Sequence, residues 1–265
     1  MGSYIPSSLR ERQQMLDAIG LASLEELYRD VPEAIRLKGL DLPEGLSELE
    51  VRRLMEAYAA ENMRFSAIFR GAGAYNHYIP SIVKTVIGKE DFLTAYTPYQ
   101  AEISQGILQS IFEYQTQICE LTAMDVSNAS VYDGATAAAE AVAMCRDRRR
   151  TVALVSAAAN PMVRETIRTY ADGVGAEVVL IPEADGVTDT IALKALLDER
   201  SACVYIQQPN YYGLLEDAQA ICDAAHQAGA KLVMGVNPIA SAVLKTPGEI
   251  GADVAVGEGQ PLGLP

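Results

Sequence analysis

The 265-residue chain has no tryptophan, only two histidines and only four cysteines. His77 and His226 are too few and too far apart to argue for a metal centre. Cys119, Cys145, Cys203 and Cys222 are also well separated and lie mostly within apolar patterns. This predicts buried thiols in a reducing compartment rather than a disulfide framework or a zinc site. Positive charge is scarce, with 21 Lys plus Arg against 35 Asp plus Glu and a net charge of −14. That is the wrong sign for a surface that must attract nucleic acid or anionic lipid. No apolar run approaches the length needed to cross a bilayer, and residues 1–30 alternate charged and apolar side chains, so we expect a soluble cytoplasmic protein. Common catalytic signatures are missing too. There is no Gly-x-Ser-x-Gly elbow, no His-Glu-x-x-His, no Walker loop and no Cys-x-x-Cys, and the run Gly257-Glu-Gly-Gln-Pro-Leu-Gly263 places its last glycine one position late for a dinucleotide fingerprint.

What remains is 49% hydrophobic, enough to bury one large core or two small ones. Three pairs, Ser8 with Glu11, Ser23 with Glu26 and Ser47 with Glu50, have capping-box spacing and predict three early helices. Gly20 ends the first, Pro32 closes the second, and the third runs from about Glu48 toward Met63. Residues 1–65 therefore read as a helical arm with little core of its own, packed on the rest of the chain or on a partner. Residues 66–265 read as a partial large domain.

The segment from Phe69 to Gln105 is rich in Gly, Pro and Tyr, the composition of loops at a surface or a site. Ile103, Ile107, Leu108, Ile111, Phe112, Ile118 and Leu121 then recur at helical spacing and predict a long, largely buried helix over Glu102 to Met124. A helix follows at Gly134 to Arg146. Apolar strands come next, at Thr151–Val155, Glu177–Ile181, Ala202–Ile206, Lys231–Gly235 and Asp253–Val256, separated mostly by helical stretches, which is the pattern of an α/β domain with a mainly parallel sheet.

The turn before Gly134, Ala135 and Thr136 presents free amides and the positive end of a helix dipole, which suit a phosphate, and the Thr136 hydroxyl is a further donor. A tight helix start with alanines for close packing explains the same residues. His226 fits a surface or partly buried imidazole on a helix. His77, in the Tyr-rich loop, fits either a structural or a functional role.

Taken together, Tyr4-Ile-Pro6, Phe69-Arg-Gly-Ala-Gly-Ala-Tyr-Asn-His-Tyr-Ile-Pro80, Thr94-Ala-Tyr-Thr-Pro-Tyr-Gln-Ala-Glu-Ile-Ser-Gln-Gly106, Tyr114-Gln115, Asn128-Ala-Ser with Asp133 to Glu140, and Gly257 to Pro265 resemble the glycine cleavage system P-proteins, specifically their alpha-type chain. The resemblance spans essentially the whole chain. It implies the large domain of a fold-type I, aspartate aminotransferase-like enzyme that depends on pyridoxal phosphate (PLP). It also implies that an alpha and a beta chain together decarboxylate glycine and pass the aminomethyl group to the lipoyl arm of H-protein.

PLP chemistry needs a Schiff-base lysine, an acid at the pyridine nitrogen and a phosphate cradle. By the resemblance, the lysine's place here is Gln260-Pro261, and Pro261 cannot form an imine. The acid's place is Gly235, followed by Val236 and Asn237. The cofactor is therefore expected in the beta-type partner, leaving at most a remnant cradle at Gly134, Ala135 and Thr136. Tyr75, Asn76, His77, Tyr96, Thr97, Tyr99 and Gln100 are expected to line a pocket shared with that partner, the other reading being a hydrogen-bonded loop that only supports the fold. An inert scaffold of the same ancestry, and a self-sufficient PLP enzyme using Lys231 or Lys245, are the competing readings. The family chain continues into a small C-terminal domain that the resemblance does not reach here. A truncated chain is therefore expected, with apolar surface that dimerisation or the beta chain would cover.

Overall fold

The structure is a computed structural model that describes residues 7–37, 39–69, 71, 73, 76–93, 97, 98 and 100–264. The chain divides into two compact units, Met1–Ile68 and Phe69–Pro265.

In the first unit, α1 (Leu9–Ala18) and α2 (Glu48–Ala60) each open on a capping box, Ser8 with Glu11 and Ser47 with Glu50. The third predicted box does not form. Ser23 precedes a short 3-10 helix, Leu24–Tyr28, without a side-chain cap, and Glu26 instead accepts from the Ala22 N–H. Only eight residues separate Ser23 from Pro32, and the residue before a proline is barred from the α region, so a 3-10 turn is what fits. A second short 3-10 turn spans Glu33–Ile35. Leu16 is the one buried side chain among the described residues of this unit.

The second unit begins with α3 (Ser81–Ile87), α4 (Glu90–Leu93) and α5 (Ala101–Thr122), which is kinked at Ser104. The alternating part follows: α6 (Gly134–Cys145), β1 (Val152–Ser156), α7 (Pro161–Gly173), β2 (Glu177–Ile181), a hairpin of β3 (Glu183–Ala184) and β4 (Val187–Thr188), α8 (Thr190–Leu196), β5 (Ser201–Gln208), α9 (Ala218–Gln227), β6 (Lys231–Val236), α10 (Pro238–Ser241), α11 (Pro247–Ile250) and β7 (Val254–Gly257). The five long strands form one sheet in the order β2-β1-β5-β6-β7, with every neighbouring pair parallel.

Side chains alternate between the two faces of each strand, and this sorts the core into two layers. Leu154, Val204, Ile206, Leu232 and Met234 pack with Leu193 of α8 and Ile221 of α9. Ala153, Val155, Cys203, Tyr205 and Val233 pack with Ile167 of α7 and the alanines of α6. Ala138, Ala139 and Ala141 combine high helix propensity with minimal bulk, so α6 can lie close across β5, β6 and β7. The expectation that α5 is largely buried is corrected. Ile103 and Phe112 are 79% and 65% exposed, and only Ser104 and Thr122 are buried. The helix has its apolar stripe, with Ile107, Leu108, Ile111, Ile118 and Leu121 partly buried and Ile103 and Phe112 left exposed.

Candidate functional site

Because the five strands run the same way, their carboxyl ends share one edge, where the loops of open α/β sheets converge. The described part of the Gly- and Tyr-rich loop lies along that edge. Gly73, with φ +90°, sits so close to Asn160 and Tyr211 that a side chain at this position would strike the Asn160 amide. Asn160 follows β1 and caps α7, its side chain accepting from the Met162 N–H at 2.9 Å, while its own N–H donates to Gln207 Oε1 at 2.9 Å. Tyr211 follows β5, and its N–H donates to the Ala158 carbonyl at 2.9 Å. At the loop's other end His77 Nε2 stands 3.1 Å from the Leu264 carbonyl. A carbonyl only accepts, so Nε2 is the protonated nitrogen in this contact. Pro80 lies against Gly263, which has φ +101°. The segments after β1, β5 and β7 thus all touch one loop.

Of the residues expected to line a shared pocket, Tyr75, Tyr96 and Tyr99 lie outside the described residues. His77 is half-buried and Asn76 is exposed. Thr97 and Gln100 are exposed at the entry to α5, and Gln100 occupies its N-cap position without a side-chain bond. Among the described residues, no hydrogen bond joins Thr97 or Gln100 to Asn76. The structure therefore brings His77 to the segment after β7, and places Thr97 and Gln100 in a separate segment beside α5.

Gly134, Ala135 and Thr136 do form the first turn of a helix, but its donors are engaged. Asp133 Oδ1 accepts from Thr136 N at 2.7 Å, and the Thr136 hydroxyl is turned back onto Asp133, 2.9 Å from the same oxygen. Gly134 N donates to Glu258 Oε1 at 2.8 Å, and Ala137 N donates to the Asp133 carbonyl. The Thr136 hydroxyl, expected as a phosphate donor, is thus a capping group. Only the Ala135 amide in this turn lacks an acceptor among the described residues. The place that the resemblance assigns to the acid is filled as well. A side chain at Gly235 would meet the hydroxyl of Tyr205, whose burial pushes that phenol up and keeps it protonated. Asn237, just beyond β6, caps α10 by accepting from Ile239 N at 2.9 Å and Ala240 N at 3.2 Å. Where the resemblance puts the lysine stands Pro261, which cannot form an imine, so the residues at the places the resemblance assigns do not fit PLP. Lys231 is exposed at the amino end of β6, away from this edge, and Lys245 is exposed.

The sequence reading missed Glu258, Tyr205, Asn160 and Tyr211. An acidic residue between the glycines of Gly257-Glu-Gly259 was a visible signal for the first, while the others depend on which strands are neighbours. One other titratable group lies near the opposite edge. His226 Nε2 pairs with Asp253 Oδ2 at 2.9 Å, and Cys222 Sγ is 3.7 Å from His226 Nδ1. Burial pushes the Cys222 thiol up, which disfavours the nucleophilic thiolate. Among the described residues, no group of His, Cys, Asp and Glu could hold a metal ion, and no helix is long and apolar enough to cross a membrane.

The profile of the family described as glycine cleavage system P-protein matches residues 2–265. A probable glycine dehydrogenase (decarboxylating) subunit 1 of Halalkalibacterium halodurans is 51% identical over 266 residues, covering 99% of this chain and 60% of that protein. A crystal structure of glycine decarboxylase (P-protein) of the glycine cleavage system, in inhibitor-bound form, superposes with a TM-score of 0.86 at 43% identity, over 99% of this chain and 60% of that one. The Escherichia coli cysteine desulfurase CsdA shares the fold at 17% identity, with a TM-score of 0.55 over 71% of this chain and 49% of its own. The fold is that of the fold-type I PLP-dependent enzymes, and the chain spans about 60% of the length of the curated relatives it matches.

Proposed function

The chain belongs to the glycine cleavage system P-protein family, and from that premise we propose that it is the alpha-type, non-lysine-bearing subunit of glycine decarboxylase. With a PLP-bearing beta-type subunit it decarboxylates glycine and passes the aminomethyl group to the lipoyl arm of H-protein. The observation that supports this reading most is the described part of the loop ending at Pro80, with Gly73 packed close to Asn160 and Tyr211 and His77 bonded to Leu264 at the carboxyl edge of the sheet. Residues packed and bonded in this way are preorganised at little entropic cost on binding, which is what a wall of a partner's pocket requires.

In this reading Tyr75, Asn76, His77, Tyr96, Thr97, Tyr99 and Gln100 orient glycine and exclude water in a pocket completed by the partner. Residues 1–65 act as a helical arm and residues 66–265 as the domain that carries the loop. The test is exchange of labelled bicarbonate into glycine, with PLP and H-protein present, for this chain alone, the beta-type chain alone and their mixture. Exchange is expected only in the mixture, and His77→Ala or Tyr99→Phe is expected to lower it about 10- to 100-fold while assembly is retained.

The engaged donors at Gly134 and Thr136 favour a second reading, an inert scaffold that only holds the partner in shape. Unchanged exchange in both variants would decide for that scaffold.

A further inference from the structure

The amino end of α6 is the place where a helix in an α/β sheet takes an anion, because unpaired amides and the helix dipole converge there. Here the anion belongs to the chain. Glu258, the first residue after β7, reaches 2.8 Å from the Gly134 N–H, and a Cβ at Gly134 would lie 2.9 Å from the same carboxylate oxygen. Glycine at 134 is what lets the carboxylate come so close. Asp133 supplies a second carboxylate, 2.7 Å from the Thr136 N–H. A phosphate entering this turn would face two negative groups and would have to displace one of them. Independently, the Tyr205 hydroxyl closes the space beside Gly235 on β6, so two separate places at the carboxyl edge of the sheet are filled by this chain's own side chains.

We infer that Glu258 is a built-in anion that replaces a bound phosphate at the amino end of α6, and that it serves as the mount for the Tyr-rich loop. The physical chain is short. Glu258 is fixed to the helix, residues Gln260–Leu262 make a 3-10 turn directly after it, and Leu264 then presents its carbonyl 3.1 Å from His77 Nε2. A bound phosphate would ligate the helix but would leave residues 258–264 untethered. The self-supplied carboxylate both ligates the helix and anchors the segment that holds the loop. Glu258 is thus a positioning residue, and the inference stands whether or not the assembled protein decarboxylates glycine.

Hydrogen exchange on the full chain, with and without inorganic phosphate, tests both halves. In the wild type, exchange at residues 134–137 should be indifferent to phosphate. Glu258→Ala should speed exchange about tenfold at residues 134–137 and also at 262–264, the bonded amides of the turn that holds His77, since it removes a hydrogen bond to a charged group. Added phosphate should then restore slow exchange at 134–137 but not at 262–264. Saturable protection of the wild type by phosphate would overturn the inference. So would Glu258→Ala exchanging like the wild type at either segment, or phosphate failing to protect the helix start of that variant. Should Glu258→Ala not fold, Glu258→Gln decides. It keeps an acceptor and loses the charge, so it should exchange faster than the wild type at 134–137, and equal exchange would overturn the role of the charge.

Discussion

Glu216 shows what a single buried side chain can hold together in this domain. It is 7% exposed, and its two carboxylate oxygens accept from Thr188 N and Asn210 Nδ2, each at 2.9 Å. Its own N–H donates to Gln208 Oε1 at 3.0 Å, and Asn210 Nδ2 also reaches the Gly186 carbonyl at 2.8 Å. The residue thereby ties the β3–β4 hairpin to the segment after β5. Alanine here would strand two buried donors, each costing about 1–3 kcal/mol, so Glu216→Ala should lower the urea midpoint with little change in slope. Glutamine should not rescue it, because its amide would turn an NH2 toward one of the two donors. None of this was legible in advance, since Glu216 stands in a loop and its partners are 28 and 6 residues away.

Helix starts were more readable because their chemistry is local. Ser47 and Glu50 satisfy each other's amides, with Ser47 N to Glu50 Oε2 at 2.8 Å, and the Ser47 hydroxyl followed by its N–H holds the Glu50 carboxyl below its ordinary value near 4.5. Glu11 is lowered in the same way by the Ser8 N–H and hydroxyl. A carboxyl lowered in the folded state contributes stability that is fully present above its unfolded value and is lost as pH falls through the folded one. Hydrogen exchange at residues 48–52 should therefore be faster in Glu50→Gln than in the wild type at neutral pH, and the gap should close as the pH falls past the ordinary carboxyl value and through the lowered folded one. The strands were also readable, from their apolar runs. The β3–β4 hairpin carried a turn signal that went unread: Asp185 and Gly186 both have positive φ, as a two-residue hairpin turn demands.

The assembled second unit leaves apolar side chains in solvent that a self-contained domain would cover. Tyr132 is 92% exposed, and Val126 and Val243 are also exposed, besides Ile103 and Phe112 on α5. Scattered apolar residues are ordinary, but Ile103 and Phe112, both large and exposed on one long helix, mark surface that gains by association. We expect light scattering of the chain alone to show self-association, and Phe112→Asp to weaken both this and binding to a beta-type partner. A monodisperse monomer that binds the partner equally well with and without Phe112→Asp would remove α5 from the interface.

Periodicity and composition were enough to establish a mainly parallel α/β domain behind a helical segment, because helix caps, strand alternation and glycine-rich turns act over a few residues. The resemblance of the Tyr-rich loop and its neighbours was enough to point to the family that the comparisons then showed. Tertiary structure decided what the first turn of α6 does. Gly134 looks like a phosphate cradle when read beside its chain neighbours, and it is the partner of Glu258 only because β7 ends next to α6 across 124 residues of chain. The same holds for Tyr205 over Gly235, on adjacent strands, and for His77 at Leu264, 187 residues apart. A local pattern shows which donors a segment offers, and only the packing of distant segments shows which acceptors reach them.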